Sequence, residues 1–119
     1  MKGRVLIIDD DDGVRVTIEH VLSMLGYQIA SASDGKQANR LFEEFNPDVV
    51  ITDIKLLEGG PCGLALARMI RNKKPHLPTI LMTAYPEPLE GEVALPGAVL
   101  CKPFELAEFC REIRARLAQ

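Results

Sequence analysis

The chain has 119 residues, of which 47% are apolar and 26% are charged. This length and balance predict one globular domain, over residues 1–119. The formal charge of −3 argues against a basic nucleic-acid-binding surface. No apolar stretch of the sequence is long enough to cross a membrane. The three cysteines are far apart in the sequence and indicate free thiols, so we expect a reducing, cytoplasmic location.

Short apolar runs alternate with helix-period segments in the first half of the chain. Residues 5–8 form an apolar run that is typical of a strand buried on both faces, and the helix after it is predicted to end at Gly26. Residues 27–32 predict a second strand, and Pro47 stops the helix that follows it. A third buried strand is predicted to end at Asp53.

The second half continues this alternation, with a third helix that stops near Pro75 and strands that end at Thr83 and Lys102. A last helix carries an apolar stripe of Leu106, Phe109, Cys110, Ile113 and Leu117. Residues 84–97, between the fourth and fifth strands, contain three prolines and two glycines, so we expect the fourth helix there to be short or irregular. The alternation predicts an α/β fold with a doubly wound parallel sheet and helices on both faces.

Polar residues follow four of the five predicted strands: Asp9 and Asp10, Asp53, Thr83 and Lys102. Because the carboxyl ends of parallel strands share one edge of the sheet, we expect these side chains to meet there. Converging carboxylates repel each other by about 1 kcal/mol per pair in water and by more when desolvated. Either some of them are protonated or a cation lies among them, and oxygen ligands of this kind suit Mg²⁺.

A carboxylate beside such a metal can act as a nucleophile toward a phosphoryl group. Lys102 would offset charge on the phosphoryl oxygens, and Thr83 offers a hydroxyl donor to one of them. Each residue alone has an ordinary explanation, since an aspartate at a strand end is often a helix cap, as Asp11 and Asp12 could be. The presence of all the polar residues together, at four strand ends, favours a phosphoryl-transfer site.

Six segments of the sequence resemble the receiver domain of two-component response regulators. Residues 5–11 resemble the first strand and acidic pair of that family, and residues 47–53 resemble the strand that carries its phosphoacceptor. The other matches are a helix end and a turn, at 25–27 and 33–38, and the motifs at 82–84 and 101–104. The resemblance extends over nearly the whole chain, from residue 4 to residue 117.

The resemblance implies a flavodoxin-like five-stranded sheet with strand order 2-1-3-4-5. It implies that Asp53 is the phosphorylated aspartate of a phosphorelay. Asp10 and Asp53 would bind Mg²⁺ directly, together with the backbone carbonyl of Lys55, and Asp9 would bind the ion through water. The domain would then be a phosphoacceptor that assists its own phosphorylation and dephosphorylation, rather than a turnover enzyme.

The resemblance also implies that Lys102 contacts the phosphoryl group, with a cis peptide bond between Lys102 and Pro103 that directs the side chain. Thr83 would move toward the phosphoryl group, and the small side chain of Ala84 would leave room for it. The donor would be a sensor histidine kinase or a phosphotransfer protein, and the output partner is open. The mixed-charge face of the last helix is either solvated or a partner surface, such as that of a homodimer. The domain is either stand-alone or cut from a longer regulator.

The sequence departs from the family pattern in two places. If Gly63 is the matching glycine, the loop after the phosphoacceptor is about two residues longer than usual, and Leu57 replaces a proline. Val99 replaces the Tyr or Phe that couples the site to the partner surface. Lys55 and Tyr85, at two variable positions, either shield the acyl phosphate or point into solvent. The main hypothesis is therefore a phosphorylation-dependent switch, and the alternative is an interaction module with weak or no phosphorylation-coupled switching.

Overall fold

The computed structural model describes residues 3–54, 63–83, 98–102 and 105–117. The strands are β1 (Arg4–Ile8), β2 (Gln28–Ala32), β3 (Val49–Asp53), β4 (Thr79–Thr83) and β5 (Ala98–Cys101). The helices are α1 (Asp12–Met24), α2 (Gly35–Phe45), α3 (Gly63–Lys73) and α4 (Leu106–Leu117). The predictions for residues 55–62, 84–97 and 103–104, including the short or irregular helix and the cis bond at Pro103, lie outside the described residues.

The five strands form one parallel sheet in the order β2-β1-β3-β4-β5, which confirms the predicted topology. The register aligns Ile8 with Thr52, Asp53 with Met82, and Thr83 with Cys101. The carboxyl ends of β1, β3, β4 and β5 therefore lie along one edge, within two residues of one another. This edge is the place where ligands bind in open α/β sheets.

Two apolar layers cover the sheet, because alternate residues of each strand point to opposite faces. Val5 and Ile7 of β1 pack in one cluster with residues of α1 and α4, which are Ile18, Leu22, Phe109 and Ile113. Leu6 and Ile8 pack in the other cluster with residues of α2 and α3, which are Ala38, Phe42, Leu66 and Ile70. Burial of each large aliphatic side chain contributes about 1.5–3 kcal/mol, so both layers hold the sheet edge in place.

The ends of the first two helices follow the predicted local chemistry. The side chain of Asp11 accepts a hydrogen bond from the amide of Val14, so Asp11 is the N-cap of α1. Gly26 adopts a φ of 97° directly after that helix, and Asn46 ends α2 with a φ of 53°. The prediction that β2 begins at Tyr27 is wrong by one residue, because the Tyr27 amide donates to the Leu22 carbonyl and still belongs to the helix end.

None of the helices within these described ranges is both long enough and apolar enough to cross a bilayer.

Candidate functional site

The predicted site residues come together at the carboxyl edge of the sheet. Asp53 and Thr83 are the last residues of β3 and β4, and Asp9 and Lys102 directly follow β1 and β5. Two backbone hydrogen bonds hold this edge: the Asp9 amide donates to the Ala32 carbonyl at 3.1 Å, and the Lys102 amide donates to the Thr83 carbonyl at 2.7 Å. The ends of the strands therefore fix the backbone positions from which these four side chains extend.

Three carboxylates form the centre of the site. One carboxylate oxygen from each of Asp9, Asp10 and Asp53 lies within 4.8 Å of the other two. Asp9 is fully buried, whereas Asp10 and Asp53 are partly accessible. Hard oxygen donors at this spacing suit Mg²⁺, which binds proteins through one or two carboxylates and keeps several waters. The donor set therefore fits the metal that the sequence predicts, and Lys55, the predicted carbonyl ligand, lies outside the described residues.

Lys102 places a positive charge between two of these carboxylates. Its Nζ donates to Asp9 Oδ2 and to Asp53 Oδ2, each at 2.8 Å. The side chains are only 17% exposed for Lys102, 0% for Asp9 and 15% for Asp53, so water screens these contacts weakly. Lys102 thus offsets part of the repulsion among the acids.

Burial and hydrogen bonding act in opposite directions on the pKa values of Asp9 and Lys102. Burial raises the pKa of the Asp9 carboxyl above its ordinary value, although hydrogen bonds from Lys102 and the Asp11 amide act in the opposite direction. Burial alone would lower the pKa of Lys102, but its hydrogen bonds to Asp53 and Asp9 raise it overall. Lys102 is therefore an ammonium ion at neutral pH. The Asp9 carboxylate still lacks enough positive charge to compensate for its desolvation.

Thr83 is buried at the end of β4, with 5% of its surface exposed. Its backbone carbonyl accepts from the amide of Lys102, so the two residues are adjacent across the β4–β5 pair. This position is compatible with the predicted contact between its hydroxyl and a phosphoryl group. That role stays a prediction.

The backbone at Asp53 is held by close packing that sequence analysis did not foresee. The Thr52 hydroxyl donates to the Asp53 carbonyl at 2.9 Å, and the Leu64 amide donates to the Ile54 carbonyl at 3.2 Å. A Cβ atom at Gly63 would lie 1.6 Å from the Asp53 carbonyl oxygen, so only glycine fits at the start of α3. The sequence signal for this contact is Gly63 itself, at the position of the glycine that the family resemblance implies after the phosphoacceptor.

Arg15 also contacts the site, and sequence analysis gave it no role. Its guanidinium donates to the Asp9 carbonyl at 2.9 Å. The available signal was a long cationic side chain in the second turn of a helix that begins just after β1. Such a side chain can reach back toward the end of the strand.

Comparison with known proteins identifies the family. The sequence model of the response regulator receiver domain matches residues 5–114. The chain belongs to this family. Receiver domains are signalling domains of two-component systems. In these systems, response regulators receive phosphoryl groups from histidine kinases and act on output domains. Members of the family bind Mg²⁺ at an acidic pocket.

Two relatives and one solved structure illustrate the similarity. Regulatory protein AtoC of Escherichia coli is 37% identical over 109 residues, which are 89% of this chain and 23% of AtoC. Response regulator MprA of Mycolicibacterium vanbaalenii is 33% identical over 120 residues, or 98% of this chain and 51% of MprA. The chain thus spans about half, or less, of these relatives. The response regulator TrrA of Thermotoga maritima, crystallised in complex with Mg²⁺-BeF, is 30% identical, with a TM-score of 0.84 over 95% of this chain and 97% of TrrA.

Proposed function

We propose that this domain is a phosphorylation-dependent switch in which Asp53 accepts a phosphoryl group with the help of Mg²⁺. The observation that carries the proposal is the arrangement of the charged groups. Asp53 shares a cluster with Asp9 and Asp10, and its Oδ2 accepts from Lys102 at 2.8 Å, at an accessible edge of the sheet. The complex of TrrA with Mg²⁺-BeF supports the same assignment, because TrrA is similar along almost its whole length.

The residues present fit the metal. Asp10 and Asp53 would be direct ligands with the carbonyl of Lys55, and Asp9 would hold the ion through water. When bound, Mg²⁺ neutralises charge on the phosphoryl oxygens and so favours attack by a carboxylate.

The chemical step uses the side chains of this chain directly. A carboxylate oxygen of Asp53 attacks the phosphorus, and a new phosphorus–oxygen bond forms while the bond to the donor breaks. The leaving group of the donor keeps that electron pair. The product carries about −1.5 to −2 charge and three strong acceptor oxygens, by analogy with other phosphorylated side chains. Lys102 and Thr83 are the nearby donors that would satisfy those oxygens, and their rearrangement would bias a partner-binding surface.

Mass spectrometry tests the acceptor. The intact protein is incubated with a small phosphodonor, such as acetyl phosphate, and Mg²⁺. We expect wild type to gain one phosphoryl group and Asp53→Asn to gain none, and chelation of the metal should suppress the gain in wild type. Glu105→Gln, an exposed carboxylate at the start of α4, is the matched control and should behave as wild type. Equal gain by Asp53→Asn, or no gain by wild type, would refute the proposal.

The partners follow from the same chemistry. The phosphoryl donor would be a sensor histidine kinase or a phosphotransfer protein, acting in the cytoplasm. The output partner or domain, and any homodimer, have to be found by experiment. Direct binding of nucleic acid by these 119 residues is not expected, given the formal charge of −3.

A second candidate function rests on Val99. This residue packs partly buried against a small cluster of Ile54, Ala67 and Leu81, where the family usually has an aromatic ring. A branched side chain held in such a cluster cannot make a large rotamer swing. In that case the domain is phosphorylated but changes little elsewhere, and it acts by constitutive contact. Amide exchange of residues 84–99, with and without phosphodonor, separates the two functions, because only the switch predicts a difference.

A further inference from the structure

We infer that Arg15 is a positioning residue, which holds the connection between β1 and α1 so that Asp9 and Asp10 face Asp53. This inference rests on the proposed function, since the arrangement of these acids matters for catalysis only if they bind Mg²⁺. Arg15 does not touch the reacting atoms. It acts on the backbone that carries two of the predicted ligands.

The Arg15 side chain makes two hydrogen bonds, one to the end of β1 and one to the first residue of α1, and its backbone amide makes a helical hydrogen bond at the start of α1. Its Nη1 donates to the Asp9 carbonyl at 2.9 Å, and its Nη2 donates to Asp12 Oδ1 at 2.6 Å. Its backbone amide donates to the Asp11 carbonyl at 3.0 Å. The side chain is only 16% exposed, so the guanidinium is held against the protein rather than extended into water.

Hydrogen bonds hold the backbone on both sides of Asp10, and Arg15 makes one of them. On one side, the Asp9 backbone is held between β2, through its amide, and Arg15, through its carbonyl. On the other side, the Asp11 amide donates to Asp9 Oδ1 at 2.9 Å, and the Asp11 side chain caps α1. The backbone before and after Asp10 is therefore fixed. From this backbone position the Asp10 carboxylate lies in the cluster with those of Asp9 and Asp53.

The guanidinium group is suited to this role. Its nitrogens lie in one plane and can reach two acceptors at the same time, whereas lysine has a single nitrogen on its side chain. Its positive charge has a separate effect, because a cation near the acids repels Mg²⁺. Loss of the charge would tighten Mg²⁺ binding, and loss of the hydrogen bonds would weaken it. The two roles thus predict opposite changes and can be separated by experiment.

The experiment compares wild type, Arg15→Lys and Arg15→Gln. It measures Mg²⁺ affinity by calorimetry, exchange of the Asp11 amide without added metal, and the midpoint of urea denaturation. Arg15→Lys keeps the charge and loses the two-point contact, and Arg15→Gln loses both. Removal of a group that orients a metal ligand typically lowers metal affinity tenfold to a hundredfold, so we expect Arg15→Lys to bind Mg²⁺ about tenfold more weakly. Arg15→Gln should bind more weakly than wild type but less weakly than Arg15→Lys, because loss of the charge offsets part of the loss of the hydrogen bonds. We also expect the Asp11 amide to exchange faster in both. Arg40→Lys, at an exposed arginine of α2, is the matched control and should match wild type.

Three results would overturn the role of Arg15. Tighter binding by Arg15→Gln with unchanged binding by Arg15→Lys would show that only its charge matters. A lower denaturation midpoint in both variants with unchanged Mg²⁺ affinity would show that it only stabilises the fold. Unchanged exchange of the Asp11 amide would show that it does not hold the connection. Failure of wild type to bind Mg²⁺ at all would instead overturn the proposed function, and the exchange measurement would still report on Arg15.

Discussion

Gly63→Ala tests whether α3 begins directly against the strand that carries the phosphoacceptor. The added Cβ would lie 1.6 Å from the Asp53 carbonyl oxygen, and Cβ atoms essentially never approach other atoms closer than 3.0 Å. The obstacle is backbone, so no side chain can rotate away, and either α3 or the end of β3 must move by at least about 1.4 Å. Overpacking of this kind costs about 1–3 kcal/mol. We expect the upper end of that range.

Urea denaturation followed by circular dichroism measures this loss. A loss of about 3 kcal/mol corresponds to a fall of roughly 10 °C in melting temperature for a domain of this size. We also expect weaker Mg²⁺ binding by the folded variant, because the displaced backbone is that of Asp53. The site would therefore be damaged as well as the fold.

Gly13→Ala is the matched control. Gly13 lies in the first turn of α1, and its Cβ would meet only the Asp11 Oδ1 atom, at 3.3 Å. Alanine is favoured over glycine in helices by up to about 1 kcal/mol, which opposes the cost of this tight contact with the side-chain oxygen that caps α1. The change in stability should therefore be much smaller than that of Gly63→Ala. If Gly63→Ala unfolds at the same urea concentration as Gly13→Ala, the close contact between α3 and β3 is wrong.

Three further predictions concern the charges of the site. Lys102→Met should lower the free energy of unfolding, measured by urea titration without metal, by about 2–4 kcal/mol, because it removes the cation that two acids share. Excess Mg²⁺ should recover part of this loss. Since the folded-state pKa of Lys102 is raised, its stabilising contribution should be complete below its ordinary pKa of 10.5 and be lost as pH rises through the folded-state pKa. Unfolding of wild type, but not of Lys102→Met, should show that alkaline loss. Asp9→Asn should weaken Mg²⁺ binding about tenfold by calorimetry, because it removes one of the three clustered carboxylates. Unchanged Mg²⁺ affinity of Asp9→Asn would contradict the last prediction.

The fold and the location of the site could be predicted because both depend on local patterns. Apolar runs define the strands, and a parallel sheet brings the residues after those runs to one edge. Thus Asp9, Asp53, Thr83 and Lys102 could be grouped before any distance was known. The start of β2 could not be predicted to the residue, because the Tyr27 amide bonds back to α1 rather than joining the sheet.

The contacts that hold the site together could not be predicted, because they join residues that are distant in the sequence or depend on backbone geometry. Lys102 and Asp9 are 93 positions apart, and no spacing rule indicates that one ammonium ion contacts both Asp9 and Asp53. The fit of Gly63 against Asp53 depends on how α3 docks on β3. The sequence offered two alternatives for the clustered acids, protonation or a cation such as Mg²⁺, and it did not indicate that Lys102 would contact two of them.

The charge balance suggests why one lysine can serve both states of the proposed switch. Three carboxylates and one ammonium leave two negative charges in the cluster, which is the charge that a divalent cation would neutralise. Phosphorylation would replace the Asp53 carboxylate by a group of greater charge, placed farther from Asp9. Lys102 would then gain more from the phosphoryl oxygens than from Asp53. Its hydrogen bonds to Asp9 and Asp53 are thus the contacts that phosphorylation is expected to break first, and Lys102 is the residue through which the domain would sense that its acceptor is occupied.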